Sequence, residues 1–254
     1  MRNLFMSSLV VLLSLFAFSS VTHAQNAGQA RPAASSQPFE PRDFTGVWAV
    51  QGGSWLPRGQ EPPMTPWALA KYRSEKTQLS APPVDGYENT DPVLRCEPGS
   101  TLRSYFTPHP IEFAMTPKAV YMLYELYRNF RVIYMDGRKH PSHPEGTWFG
   151  DSIGRWEGNT LVVDTINFND KTWIDNMGHP HSDKLHLVER FTRTDHDHIR
   201  MDITIEDPIA YTQPWTATKI WTLRPGYEIE DYLCSHEEYE EEMKTYRGLA
   251  YGNK

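Results

Sequence analysis

Cysteine is scarce in this chain: only Cys96 and Cys234 occur, so no cysteine cluster is available to hold a metal. No P-loop, Rossmann fingerprint or EF-hand loop is present. There is no basic stripe either, and a formal net charge of −7 makes nucleic acid and anionic membranes poor partners. Beyond residue 24 no apolar run approaches membrane-spanning length.

What is present at the N-terminus is Arg2, an apolar core LVVLLSLFAF, and SSVTHA with Thr22 and Ala24 in the small-residue positions. Residues 1–24 therefore read as a secretory signal peptide, too short to span a bilayer comfortably. Its removal shifts the formal charge to −8, and the absence of a cysteine just after it argues against a lipid anchor. In an oxidising compartment Cys96 and Cys234 are expected to pair across a long loop; the alternative is two separate buried thiols.

Residues 25–42 are rich in Ala, Ser, Gln and Pro without apolar periodicity, and read as a disordered lead. Residues 43–254 suit one large β domain. DFTGVWAV is the first strand-like segment, and its Gly-x-Trp is similar to the opening of lipocalin-type barrels. Thr65-Pro66-Trp67 opens a short helix, with Thr as N-cap and Pro at the first helical position. Residues 79–110 read as a wrapped segment tied at Cys96. IEFAM, AVYMLYELY, FRVIYM, TLVVDTINF, LHLVERFTRT, HIRMDITIED, WTATKIWTL and YEIEDYLC follow, rich in β-branched and aromatic residues and separated by turn signals. The expected fold is all-β, an antiparallel meander closing into a lipocalin-like β-barrel of eight or nine strands. The acidic-then-basic order of HEEYEEEMKTYR predicts a C-terminal helix.

Period-two alternation sorts inside from outside. In HIRMDITIE it places Ile199, Met201, Ile203 and Ile205 on one face. The same rule puts one ionisable group on an otherwise apolar face in four other segments: Glu189 with Leu185, Leu187 and Phe191; Lys219 with Trp215 and Trp221; Asp231 with Ile229 and Leu233; Glu125 with Tyr121 and Leu123. A closed core does not tolerate unpaired charge. Two readings follow: a buried ion-pair network, such as Lys219 with Asp231 or Glu189, or a polar chamber open at one end, as in ligand-enclosing barrels.

Tyr134 to Thr165 contains a loop far longer than a connector needs. Asp136-Gly137 starts it as a hairpin turn, and the prolines after His140 and His143 keep both histidines on extended backbone. Trp148, Asp151 and Trp156 follow. Gly150-Asp151-Ser152-Ile153-Gly154 matches G-x-S-x-G literally, but a turn and a strand come next where the nucleophile elbow needs a helix. A second loop carries His179, His181 and His186. Neither His-x-x-His nor His-x-His has the specificity of HExxH, so no metal and no cofactor is expected.

DFTGVW, TPWALAKY, RVIYMDGRKHP with GDSIGRWEGNTLVVDT, HSDKLHLVERF, DPIAYTQPW and the late YLC together resemble a group of secreted bacterial proteins with a lipocalin-like look. The resemblance covers most of the mature chain. It implies one secreted domain and carries no reaction.

The expectation is thus a periplasmic or secreted barrel whose partner is a small molecule, aromatic or carbohydrate-like, since 8 Trp and 13 Tyr supply stacking faces with polar rims. Arg138, His140, His181 and Glu189 are expected to line a chamber, with Glu or His as a base and Arg138 steadying an anion in a cofactor-free lyase, isomerase or hydrolase step. Glu125, Asp136, Trp148, Asp151, Trp156, Lys219, Trp221 and Asp231 are the expected ligand contacts. The alternatives are a carrier or sensor without chemistry, and a structural envelope protein whose buried charges are ion pairs. No nucleic acid, and no membrane once the signal is removed, is an expected partner.

Overall fold

The computed structural model describes residues 37–50, 54–57, 59–75, 77, 90–142 and 146–234. The expected signal peptide, most of the lead, His143 and the expected C-terminal helix lie outside these residues. The strands are β1 (Gly46–Val50), β2 (Ile111–Thr116), β3 (Ala119–Tyr124), β4 (Phe130–Tyr134), β5 (Asp151–Glu157), β6 (Thr160–Ile166), β7 (His186–Arg193), β8 (His198–Glu206) and β9 (Trp215–Leu223). They pair in chain order and close on themselves through β1 and β9. The predicted all-β barrel is therefore present. Its inward sets on β7, β8 and β9 follow the predicted alternation, with Leu187, Glu189, Phe191, Ile199, Met201, Ile203, Ile205, Lys219 and Trp221 all buried.

The meander is not antiparallel throughout. β4 and β5 run parallel, with Ile133 opposite Ser152 and Tyr134 opposite Ile153. The reason is parity: strand directions cannot alternate all the way round a closed ring of nine. β5 is the segment that carries most of the G-x-S-x-G match and is not among the expected strands. A side chain at Gly154 would come within 2.5 Å of Met135 Sδ and 2.8 Å of Ile133 Cγ2, so the glycine is there to let β4 lie against β5. Parallel neighbours need a long crossover, which accounts for much of the length of the 135–150 loop without any appeal to function.

Three other expectations need correction. YEIEDYLC forms no strand; only an isolated bridge joins Leu126 to Tyr232, and the total of nine is reached because β5 replaces it. Asp231 consequently points into no interior: it is more than half exposed and pairs with the equally exposed Arg128. On β3 the inward face is Val120, Met122 and Tyr124, not Tyr121 and Leu123, because both faces of AVYMLY are apolar and alternation cannot choose between them.

Around the barrel, α1 (Pro66–Ser74) starts as predicted, Thr65 Oγ1 accepting from Ala68 N at 3.2 Å, but Ala68 is its buried residue and Trp67 is exposed. The wrapped segment holds a 3-10 helix (Pro92–Arg95) and α2 (Ser100–Ser104). Cys96 and Cys234 form the expected disulfide. Among the described residues no helix is long and apolar enough to cross a membrane.

Candidate functional site

Glu189 stands inside the barrel with 0 % of its surface exposed. Its partner is Arg131, which β4 sends inward beside Ile133. Arg131 Nη2 donates to Glu189 Oε2 and, at 2.7 Å, to Thr165 Oγ1; Nε donates to Ser152 Oγ at 2.9 Å, and Nη1 to Tyr105 Oη at 3.1 Å. The Tyr105 hydroxyl donates to Glu189 Oε1 at 2.7 Å. Burial alone would lower the Arg131 pKa, but Glu189, Tyr105 and Tyr124 outweigh it and raise it. Burial raises Tyr105 and Tyr124, so both phenols stay protonated. A carboxylate with both oxygens engaged and no exposure is built to join strands, not to exchange protons with a substrate. Of the two readings of the inward charges, an ion pair is what the geometry of Glu189 shows, with Arg131 as its partner in place of Lys219.

The other inward candidates are also packed. Trp221 belongs to the core, with Tyr105, Phe113 and Phe191 rings 5.2–5.8 Å away. Lys219 lies 4.3 Å from the Phe106 ring and 5.4 Å from that of Trp55. Burial pulls its pKa down to about 8, with Asp175 opposing. Ser152 faces the Arg131 cluster from a strand, as expected of a fortuitous motif match. Glu125 lies past the end of β3, where it accepts from Glu230 N at 3.0 Å and Tyr227 Oη at 2.7 Å and meets His109 Nδ1 at 3.0 Å. Burial opposes these bonds, and together they outweigh it and lower its pKa.

The loop histidines divide. His181 is buried, Nδ1 donating to Ser182 O at 3.0 Å and Nε2 lying 2.9 Å from Thr172 Oγ1; burial lowers its pKa and keeps it neutral. His179 lies flat on Tyr72, with ring centroids 4.4 Å apart, between Asp175 Oδ2 and Glu61 Oε2, each at 2.7 Å. Its pKa is raised, the carboxylates overcoming burial. His186 is likewise raised against burial by Glu206 and Asp164. Raised folded values mean that the stability His179 and His186 contribute is complete below the ordinary value of 6.5 and is lost as pH climbs through the folded pKa. His181 works in the other sense, its contribution present above 6.5 and lost as pH falls through its lowered value. Histidine NMR titration should show two rings retaining their proton above 6.5 and one losing it below. Asp175→Asn should bring the His179 midpoint down; an unmoved midpoint would eliminate Asp175 as the cause.

Four of the predicted site residues do meet, on the outer wall where β4 runs beside β5. The Arg138 guanidinium lies 3.7 Å from the Tyr134 ring centroid and donates to Asp136 through Nε at 2.9 Å and Nη2 at 2.6 Å. Those bonds hold Asp136 down at about 2. Tyr134, Arg138, Lys139, Pro141, Asp151, Ser152 and Ile153 line a pocket of about 190 Å³. Asn167 Nδ2 staples the loop by donating to Pro141 O at 2.7 Å and Asp151 Oδ2 at 2.9 Å. Between the two pocket residues Lys139 and Pro141 sits His140, whose Nε2 donates to Asp164 Oδ1 at 2.8 Å while Nδ1 is buried with no partner. Asp164 Oδ2 is 3.2 Å from His186 Nε2, and His186 Nδ1 is 3.0 Å from Glu206 Oε2. Asp164 is the one charge in TLVVDTI, and that interruption was its signal; it pairs across the ladder with Ile153 of the pocket.

Trp148 and Trp156 are elsewhere, under Lys171 at 5.7 Å and Arg42 at 5.4 Å. Among the described residues no group of three or more His, Cys, Asp or Glu side chains is arranged to hold a metal ion. Fold and site together define a disulfide-tied nine-stranded β-barrel with a cation-lined pocket over the β4–β5 seam, beside the His140–Asp164–His186 chain. Compared with protein-family models, curated proteins and solved structures, the chain matches none.

Proposed function

We propose that the protein is an exported, small-molecule-binding β-barrel whose site is the β4–β5 seam pocket, not the barrel interior. The observation that carries this reading is the Tyr134–Arg138–Lys139 cluster beside the His140–Asp164–His186 chain. The ring and the two cations suit a compact ligand with an anionic group and an aromatic or sugar-like face. Because His140 holds Asp164 through Nε2, its Nδ1 carries the free lone pair, the form of imidazole that accepts a proton. Arg138 then steadies the resulting anion in a lyase, isomerase or hydrolase step. Burial of Nδ1 favours the second reading, a carrier in which no bound compound turns over.

The test is a thermal-shift and calorimetric screen of phenolic carboxylates and sugar acids. Arg138→Ala should weaken a hit by roughly ten- to a hundredfold, the worth of a charged hydrogen bond, and change melting little, since its ion pair with Asp136 is at the surface. His140→Gln should keep binding and lower any turnover by roughly two to four orders of magnitude. Hits indifferent to Arg138→Ala would move the site away from the seam.

A further inference from the structure

A second pocket, of about 230 Å³, lies against the disulfide-tied wrap. Its walls are the 3-10 helix, the segment after α2, the β3–β4 turn and the C-terminal segment at Tyr232. Three links fasten these walls together. Tyr127 Oη donates to Val93 O at 2.6 Å, Tyr127 N donates to Tyr232 O at 2.9 Å, and the Cys96–Cys234 bridge joins the end of the 3-10 helix to the chain two residues past Tyr232. A wall held by such cross-links loses little freedom when a ligand arrives, so more of the contact energy appears as affinity.

Two kinds of group face this space. The aromatic ones are Phe106, Tyr127, Tyr232 and His109, with His109 and Tyr232 centroids 4.3 Å apart and Tyr127 and Tyr232 near-parallel at 6.3 Å. The polar ones are Asp91, Thr107, Asn176 and, only 6 % exposed, Arg103. Its Nε and Nη2 both reach Asp91 Oδ2, at 3.2 and 2.6 Å. Its Nη1 is buried without any acceptor. A buried guanidinium nitrogen left unpaired is a standing cost to the fold, and an acceptor oxygen brought to it removes that cost. We infer that this pocket binds a single-ring aromatic carboxylate, the ring against Tyr232 and His109 and the carboxylate oxygen on Arg103 Nη1. The volume lies below the roughly 300–1,000 Å³ of sites for drug-sized ligands, which limits the ligand to one substituted ring. The site is separate from the seam pocket and shares no lining residue with it.

The test uses benzoate as the probe on the oxidised full chain, with cyclohexanecarboxylate as the non-aromatic control, read by calorimetry and ligand-observed NMR. Benzoate should bind one to one, and the control at least fivefold more weakly, because it cannot stack. Arg103→Lys, which keeps a charge for Asp91 and removes the fork, should weaken benzoate at least tenfold. Should that variant fail to fold, Tyr232→Ala decides, since Tyr232 is well exposed and its loss removes a wall without opening the core; a tenfold weakening is expected. Absence of benzoate binding at 10-fold above millimolar concentration, equal binding of the control, or binding untouched by Tyr232→Ala would each overturn the proposal.

Discussion

Arg131→Met should cost the fold about 3–5 kcal/mol, the usual effect of removing one partner from a buried pair. The methionine fills much of the same space but leaves the Glu189 carboxylate with the Tyr105 hydroxyl alone. Ser152 and Thr165 lose the donors that now join β5 and β6 to β4. Urea denaturation reads the effect as a lower midpoint at an unchanged slope. Adding Glu189→Leu should recover most of the loss, because an apolar pair of similar size pays no desolvation. Double-mutant analysis then gives a coupling between the two sites, as expected of residues in contact. A cost below about 1 kcal/mol for Arg131→Met would mean that the interior takes in water and is a chamber after all.

Loss of the Cys96–Cys234 bridge is the second large effect. The cysteines are 138 residues apart, a separation for which loop-closure entropy gives about 5 kcal/mol, while removal of native bridges typically costs about 2–5 kcal/mol. The Cys96→Ser, Cys234→Ser double variant should therefore unfold at clearly lower urea concentration. In exported protein, intact mass should correspond to the chain from Gln25 with two hydrogens missing. A mass with both thiols free, or a double variant as stable as the parent, would remove the bridge from the stabilising set.

The strands that alternate cleanly were legible. In β8 every second residue is Ile or Met and every other one is polar, so one face had to be inside. β7 and β9 followed, each with one charge in the apolar row. β3 was not legible because both its faces are apolar. β4 carries no inward assignment from the sequence, and alternation would have chosen wrongly: Phe130, Val132 and Tyr134 form the more apolar row, yet Phe130 is 62 % exposed and Arg131 is inside. Only the need of buried Glu189 for a cation pointed to Arg131, and no local pattern says which of several cations answers it. The site was half legible. Arg138, Asp136, His140 and Asp151 are close in sequence and meet in space. Asp164 and His186, which complete the histidine chain, arrive from β6 and β7, through a register that alternation cannot supply.

The parallel pairing of β4 with β5 also sets how stiffness is distributed around the wall. Only Ile133–Ser152 and Tyr134–Ile153 are in register there, whereas β7 and β8 are laced from His186–Glu206 to Arg193–Ile199. The ladders of β1 with β2 and with β9 are also short, three pairs each, but β4–β5 has the fewest, and slow opening concentrates where the fewest backbone bonds must break together. Inside, the Arg131 guanidinium reaches from β4 to Ser152 on β5 and so acts as a side-chain stitch across that seam. Opening of the wall along the seam would have to break this stitch, and it would reshape the pocket of Tyr134, Arg138 and Ile153 that lies over it.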